Sequence, residues 1–313
     1  MLHLQLRVPE DRLDAVVDLL TEADTVTNVA VFPHGFRKPA GALVLADIAR
    51  EGANPVVAAL RALDLHHDGS IMLSEPGTLF SDATEAAERA APGEPDDGVV
   101  WDVVENRVRH ESRLTWAFLS FLTLAALIAG AGRLLDQPIL IVGAMVVGPE
   151  FSPVAAICVV LARPRIGLLP AAARTLVVGF AVAIAVATPL WWLGHVLGFV
   201  SSEDAATGEL TQFIIEPDLW SFAIALLAGI AGVLSLTTSK SGPLVGVFIS
   251  VTTVPAVGTI ALCLGTGVWS EVGGAAVQLG VNVLGMLVAG TATLWVQRLV
   301  WSRVHRATRS GAF

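Results

Sequence analysis

Val142-Gly143-Ala144-Met145-Val146-Val147-Gly148-Pro149-Glu150-Phe151-Ser152-Pro153 is an apolar run broken by two prolines and one acid. It is hydrophobic enough to enter a bilayer but cannot cross it as an unbroken helix. Proline has no amide hydrogen and collides with the preceding turn, which frees backbone carbonyls at a depth where lipid offers no donor. A second interrupted run, Val245-Gly246-Val247-Phe248-Ile249-Ser250-Val251-Thr252-Thr253-Val254-Pro255, follows about a hundred residues later. Freed carbonyls must face protein or a wet cavity, and matched interruptions in two halves of a chain point to a transport site.

The surrounding sequence supports a membrane reading. Of 313 residues, 54% are hydrophobic and only 15% charged, against about 25% charged in soluble domains. The acids concentrate in residues 1–113, while 114–313 is almost wholly apolar. Six stretches reach the roughly 20 apolar residues a span requires: 114–132, 138–162, 174–200, 219–237, 243–267 and 272–297. Lys and Arg orient them. Eleven basic residues, among them Arg107, Arg163, Lys240 and Arg298, flank the spans on one side, and only Arg133 lies on the other. Both termini are therefore expected in the cytoplasm, with the chain multi-pass in the inner or plasma membrane. Trp116 and Trp295 near one face, and Trp191, Trp220 and Trp269 near the other, suit interfacial anchors. The net charge of −9 argues against a nucleic-acid partner.

Three spans per half require any duplication to be inverted. Ala126-Leu127-Ile128-Ala129-Gly130 resembles Ala228-Gly229-Ile230-Ala231-Gly232 at an offset of 102, which also carries Pro153 onto Pro255. A 3+3 inverted repeat is the expectation, and such repeats commonly meet near the midplane.

Residues 1–75 read as a separate cytosolic domain. Leu2, Leu4, Leu6 and Val8 alternate as in a half-buried strand, a helix opens at Pro9-Glu10-Asp11, and strands follow at 26–33 and 42–48. A helix over 54–64 and a strand over 69–74 complete a β-α-β-β-α-β order, the ferredoxin-like pattern. Residues 76–113 form a linker: acidic and rich in Ala, Pro and Gly to 98, then an amphipathic helix with Val100, Val103, Val104 and Val108 on one side. The fold class is thus a membrane all-α bundle of six transmembrane helices, with an N-terminal α+β ferredoxin-like domain.

Glu150 stands twelve residues from each end of its span. An acid at that depth costs roughly 2.5–3.5 kcal/mol on insertion scales, so such residues face an interior or an aqueous cavity. Cation coordination or proton carriage is one reading; the other is a carboxylate capping a half-helix that begins at Pro149. Gly148, Pro149, Glu150, Ser152 and Pro153, with Ser250, Thr252, Thr253 and Pro255, make the candidate substrate or ion site. Ser and Thr also bond back to helix carbonyls, a structural alternative. Gln278 and Asn282 are polar at depth too, Asn282 between Gly280 and Gly285 in a helix-contact pattern. Ser239, Lys240 and Ser241 lie in a short polar loop that either binds an anion or simply turns between helices. Cys158 and Cys263 read as packing residues, and His34, His66, His67 and His195 have no ligand-like spacing. No nucleotide fingerprint or nucleophile–base signature occurs, so neither an enzyme, a cofactor nor a resident metal is expected.

Gly143-Ala144-Met145, Gly148-Pro149, Pro153, Gly229-Ile230-Ala231-Gly232, Lys240-Ser241, Leu244-Val245-Gly246-Val247 and Pro255 resemble a family of bacterial and archaeal membrane proteins, the conserved hydrophobic domain of unknown function three-eight-nine. The resemblance covers roughly 110–270 and implies a membrane class without a substrate. The expected function is a transporter or channel for a small solute or ion, gated by the cytosolic domain. The alternative is a membrane-anchored ligand sensor or signalling scaffold. Expected partners are the lipid bilayer, the solute, a small-molecule ligand of residues 1–75 and, from the small-residue faces at Gly229, Gly232 and 273–290, further copies of the chain.

Overall fold

The computed structural model describes residues 1–75, 81–91, 98–163, 169–238 and 253–310. The chain divides into two compact units, one built on Met1–Val104 and including the end of the last helix from Leu299, the other built on Glu105–Leu236 and the chain up to Arg298.

The first unit contains β1 (Leu2–Val8), α1 (Leu13–Thr21), β2 (Val26–Arg37), β3 (Ala40–Ile48), α2 (Ala53–Ala62), α3 (Leu65–Asp68), β4 (Ser70–Ser74) and α4 (Asp82–Ala90). The strands form one antiparallel sheet in the order β2-β3-β1-β4. Strict alternation decides its inner face: Leu2, Leu4, Leu6 and Val8 are buried and pack with Val16, Leu20, Val44, Ile48, Val56, Leu60 and Leu65. Transfer of such side chains from water stabilises by about 1.5–3 kcal/mol each.

This unit extends beyond residue 75. α4 lies where a flexible acidic tether was expected, capped by Ser81, whose Oγ accepts from the Thr84 amide, and its Glu88 pairs with the Met1 ammonium at 2.9 Å. Arg50 donates to Gly98 O at 2.8 Å, Asn54 to Val99 O at 2.7 Å, and Arg61 pairs with Asp102 at 2.8 Å. Val100 belongs to the sheet's core and Val103 packs against it. The start of the amphipathic helix α5 (Trp101–Glu111) is therefore docked on the domain.

The second unit is helical: α6 (Trp116–Leu134), α7 (Pro138–Val147), α8 (Phe151–Ala162), α9 (Leu169–Val196), α10 (Ser202–Ala206), α11 (Leu219–Thr237), α12 (Thr253–Thr266) and α13 (Trp269–Ser310). Four of these, α6, α9, α11 and Trp269–Val300 of α13, are long and apolar enough to cross a membrane, or five spans if α7 and α8 are counted as one. Outward-facing Phe121, Leu124, Val177, Val186, Leu227, Leu234, Leu284 and Val288 are more than a third exposed, as lipid-facing side chains must be in a multi-pass membrane protein. α12 is shorter at 14 residues, about 21 Å at helical rise. The first half of the expected span 243–267 lies outside the described residues.

Element boundaries recur along this unit. α6 and α11 are each 19 residues long and start 103 apart. α8 and α12 start 102 apart, and each has a proline as its third residue, Pro153 and Pro255. The packing is crossed. Gly258 of α12 lies against Ala126, Ala129 and Gly130 of α6, while Gly232 of α11 lies against the Phe151 ring of α8. Gly265 of α12 meets Thr188 and Trp191 of α9, and Gly290 of α13 meets Cys158 of α8. The small faces read as surfaces for further copies are largely filled within the chain: Gly229 abuts Met286, Gly274 abuts Ile215, and Gly285 abuts Ala225. Gly273 and Gly280 stay open.

Candidate functional site

The first interrupted run breaks as its prolines dictate. α7 ends at Val147 and α8 begins at Phe151, the two axes bent by 56°. Gly148 N still donates to Ala144 O at 3.1 Å, Gly148 itself turns to extended backbone at φ −68°, ψ 130°, and Pro149 precludes a further helical donor. Pro153 falls in the first turn of α8, where its missing amide is tolerated.

Glu150 occupies the position just before α8 and is buried at 4% exposure. Its carboxylate does not cap that helix, as one sequence reading allowed, because no side-chain bond reaches the helix amides. Oε1 instead accepts from Thr253 Oγ1 at 2.8 Å, a buried bond between residues 103 apart in sequence. Thr253 is the first residue of α12, so the two interrupted runs meet through this contact. Oε2 has no hydrogen-bond partner among the described residues. It lies over Gly148, where an added Cβ would strike Oε2 and, at 2.6 Å, Val254 Cγ2. The glycine makes room for the acid. Pro255 and Val254 are buried beside it.

Ser152 is only half buried, and its hydroxyl donates to the exposed Glu111 Oε2 at 3.3 Å. At the far end of α8, Arg163 Nη1 donates to Glu105 Oε1 at 2.7 Å. Glu105 and Glu111 share α5, so α8 lies alongside that helix in the opposite direction. Two residues from buried Glu150, the chain reaches an exposed carboxylate.

Of the residues singled out, Gly148, Pro149, Glu150, Thr253 and Pro255 come together, Ser152 and Pro153 adjoin them on α8, and Ser250, Thr252, Ser239, Lys240 and Ser241 lie outside the described residues. Gln278 and Asn282 are buried on α13.

A second polar cluster gave no warning beyond the isolation of Arg133. Its guanidinium, 1% exposed, donates to Ala206 O at 3.2 Å, Gly208 O at 3.2 Å and Thr211 Oγ1 at 2.9 Å. Asp136, in left-handed backbone at φ 49°, accepts from the Leu210 and Thr211 amides and the Thr211 hydroxyl at 2.9–3.1 Å. Partial desolvation works against its charge, yet these donors and the Arg133 charge outweigh it and hold the Asp136 pKa below the usual value. Together they tie the 206–211 segment to the turn between α6 and α7.

The first unit brings together a group that spacing did not reveal. Ligand-type atoms of Asp64, His66 and His67 all lie within 4.8 Å of one another.

Residues 145–288 match the model of the family described as Domain of unknown function (DUF389). The chain is also similar to the uncharacterized protein MJ0678 of Methanocaldococcus jannaschii, 24% identical over 197 residues, which cover 63% of this chain and 58% of that protein. The chain thus spans somewhat over half the length of the curated relative it matches. No solved structure matches it. The break, its buried acid and the start of α12 all fall inside the matched segment, and residues 145–288 of this multi-pass membrane protein carry the DUF389 domain.

Proposed function

We propose that the chain is an integral membrane transporter or channel for a small solute or ion, with Glu150 at its passage and the N-terminal domain as its regulatory part. The observation that carries this reading is the hydrogen bond from Thr253 to Glu150, which joins the two interrupted runs at a buried acid. A helix-anchored sensor needs no such acid, whose insertion costs roughly 2.5–3.5 kcal/mol. Recurring element boundaries and crossed packing support an inverted repeat, the architecture in which a midplane site is built from broken helices. In the first unit, β1 lies between β3 and β4 with helices between the strands, which supports a ferredoxin-like regulatory module. The basic residues gathered on one side support cytoplasmic termini.

Reconstituted vesicles test the reading. Purified protein should pass protons or one of a panel of small cations and polar solutes, and Glu150→Gln should cut that flux by at least about tenfold while its thermal unfolding stays near wild type. Wild-type vesicles as tight as empty ones for every solute would remove the transporter and leave an anchored sensor.

A further inference from the structure

We propose that Asp64, His66 and His67 form a divalent transition-metal site on the N-terminal domain. Asp64 precedes the single-turn helix α3, which carries His66 and His67, and one carboxylate oxygen and two imidazole nitrogens fall within 4.8 Å of one another. Tetrahedral coordination at zinc–ligand distances of about 2.0–2.2 Å needs donors roughly 3.4 Å apart. All three side chains are exposed and so free to turn toward a shared ion. The imidazoles already approach, with ring centroids 4.0 Å apart.

The donor atoms are free while the backbone beneath them is fixed. No hydrogen bond or ion pair holds the side chains of Asp64, His66 or His67 among the described residues. The Asp64 carbonyl, by contrast, accepts from the His67 amide at 2.9 Å, and Gly69 N donates to Leu65 O at 2.9 Å. Leu65 is fully buried in the sheet's core. Arg12 clamps the turn from α1's side, donating to Leu63 O and pairing with Asp68 at 2.8 Å. Arg7 holds the same turn from β1, donating to Asp68 O at 2.8 Å and Gly69 O at 3.0 Å. Two imidazoles with one carboxylate suit Zn²⁺ and its neighbours rather than Mg²⁺ or Ca²⁺, which take oxygen ligands. Water would fill the fourth position.

The experiment uses full-length protein in detergent, free of any polyhistidine tag and stripped with chelator, titrated calorimetrically with Zn²⁺. Wild type should take up one equivalent with micromolar affinity and ignore Mg²⁺. His66→Ala with His67→Ala should abolish that uptake, and Asp64→Asn should weaken it about tenfold. His34→Ala, at an exposed histidine elsewhere in the domain, should leave it intact. Bound Co²⁺ should show ligand-field bands without thiolate charge transfer, since Cys158 and Cys263 are buried elsewhere. Unchanged Zn²⁺ uptake in the double histidine variant, or none in wild type at these concentrations, overturns the assignment. The outcome is independent of any flux measurement.

Discussion

Glu150 owes its place to what its neighbours lack. Gly148 has no side chain to occupy the space of Oε2, and Pro149 has no amide to continue α7. Thr253 then supplies the only hydrogen bond the acid makes to another side chain among the described residues. Intramembrane hydrogen bonds are worth about 0.6–1.7 kcal/mol. Thr253→Val should therefore lower stability in detergent by about that much, read as a reduced midpoint of thermal unfolding, while Thr253→Ser should restore most of it. Equal stability in all three would show that the bond contributes nothing. The individual residues were legible in advance, because an acid and prolines in an apolar run are conspicuous. Their partnership was not, since periodicity cannot join residues 103 apart.

At the scale of elements, the informative features are a bend and a clamp. α7 and α8 together hold 22 residues, enough for about 33 Å of helix, yet their 56° bend rules out one straight rod. The bend was legible from Pro149. The course of α8 alongside α5 was not, because it depends on Arg163 finding Glu105 and Ser152 finding Glu111. Residues 82–90 illustrate the converse failure. Their acidic, alanine-rich composition reads as a tether, but Ser81 caps them and the Met1 ammonium pairs with Glu88, so they form a helix.

The clamp on residues 206–211 has a definite pH response. The Asp136 carboxyl lies below its ordinary 3.8 in the folded chain, so its contribution is fully present above that value. It is lost as pH falls from 3.8 through the lower folded value. Amide-exchange protection in 206–211, taken relative to the unfolded chain at each pH, should stay constant from neutral pH down to the ordinary value and fall below it. Asp136→Asn should show reduced protection throughout the range in which the wild-type carboxylate is charged. Loosening that begins near neutrality would exclude Asp136 as the group responsible.

Across the membrane unit, the packing is crossed. α6 touches α12 and α11 touches α8, through Gly258 and Gly232. Forcing a larger side chain into such a contact typically costs about 1–3 kcal/mol. Gly258→Leu should lower the unfolding midpoint accordingly, whereas Gly273→Leu, where an added Cβ meets nothing within 4 Å, should not. Similar losses for both would deny that these crossings hold the unit together. The glycines themselves were legible in the sequence, but only the packing shows which helix each one meets.

During synthesis, this arrangement imposes a wait. α6, α8 and α9 emerge from the ribosome well before α11, α12 and α13, so the alanine and glycine surfaces at Ala126, Gly130 and Cys158 enter the membrane without the neighbours that will cover them. Until translation passes the last helix, lipid or the insertion machinery must stand in for half a protein.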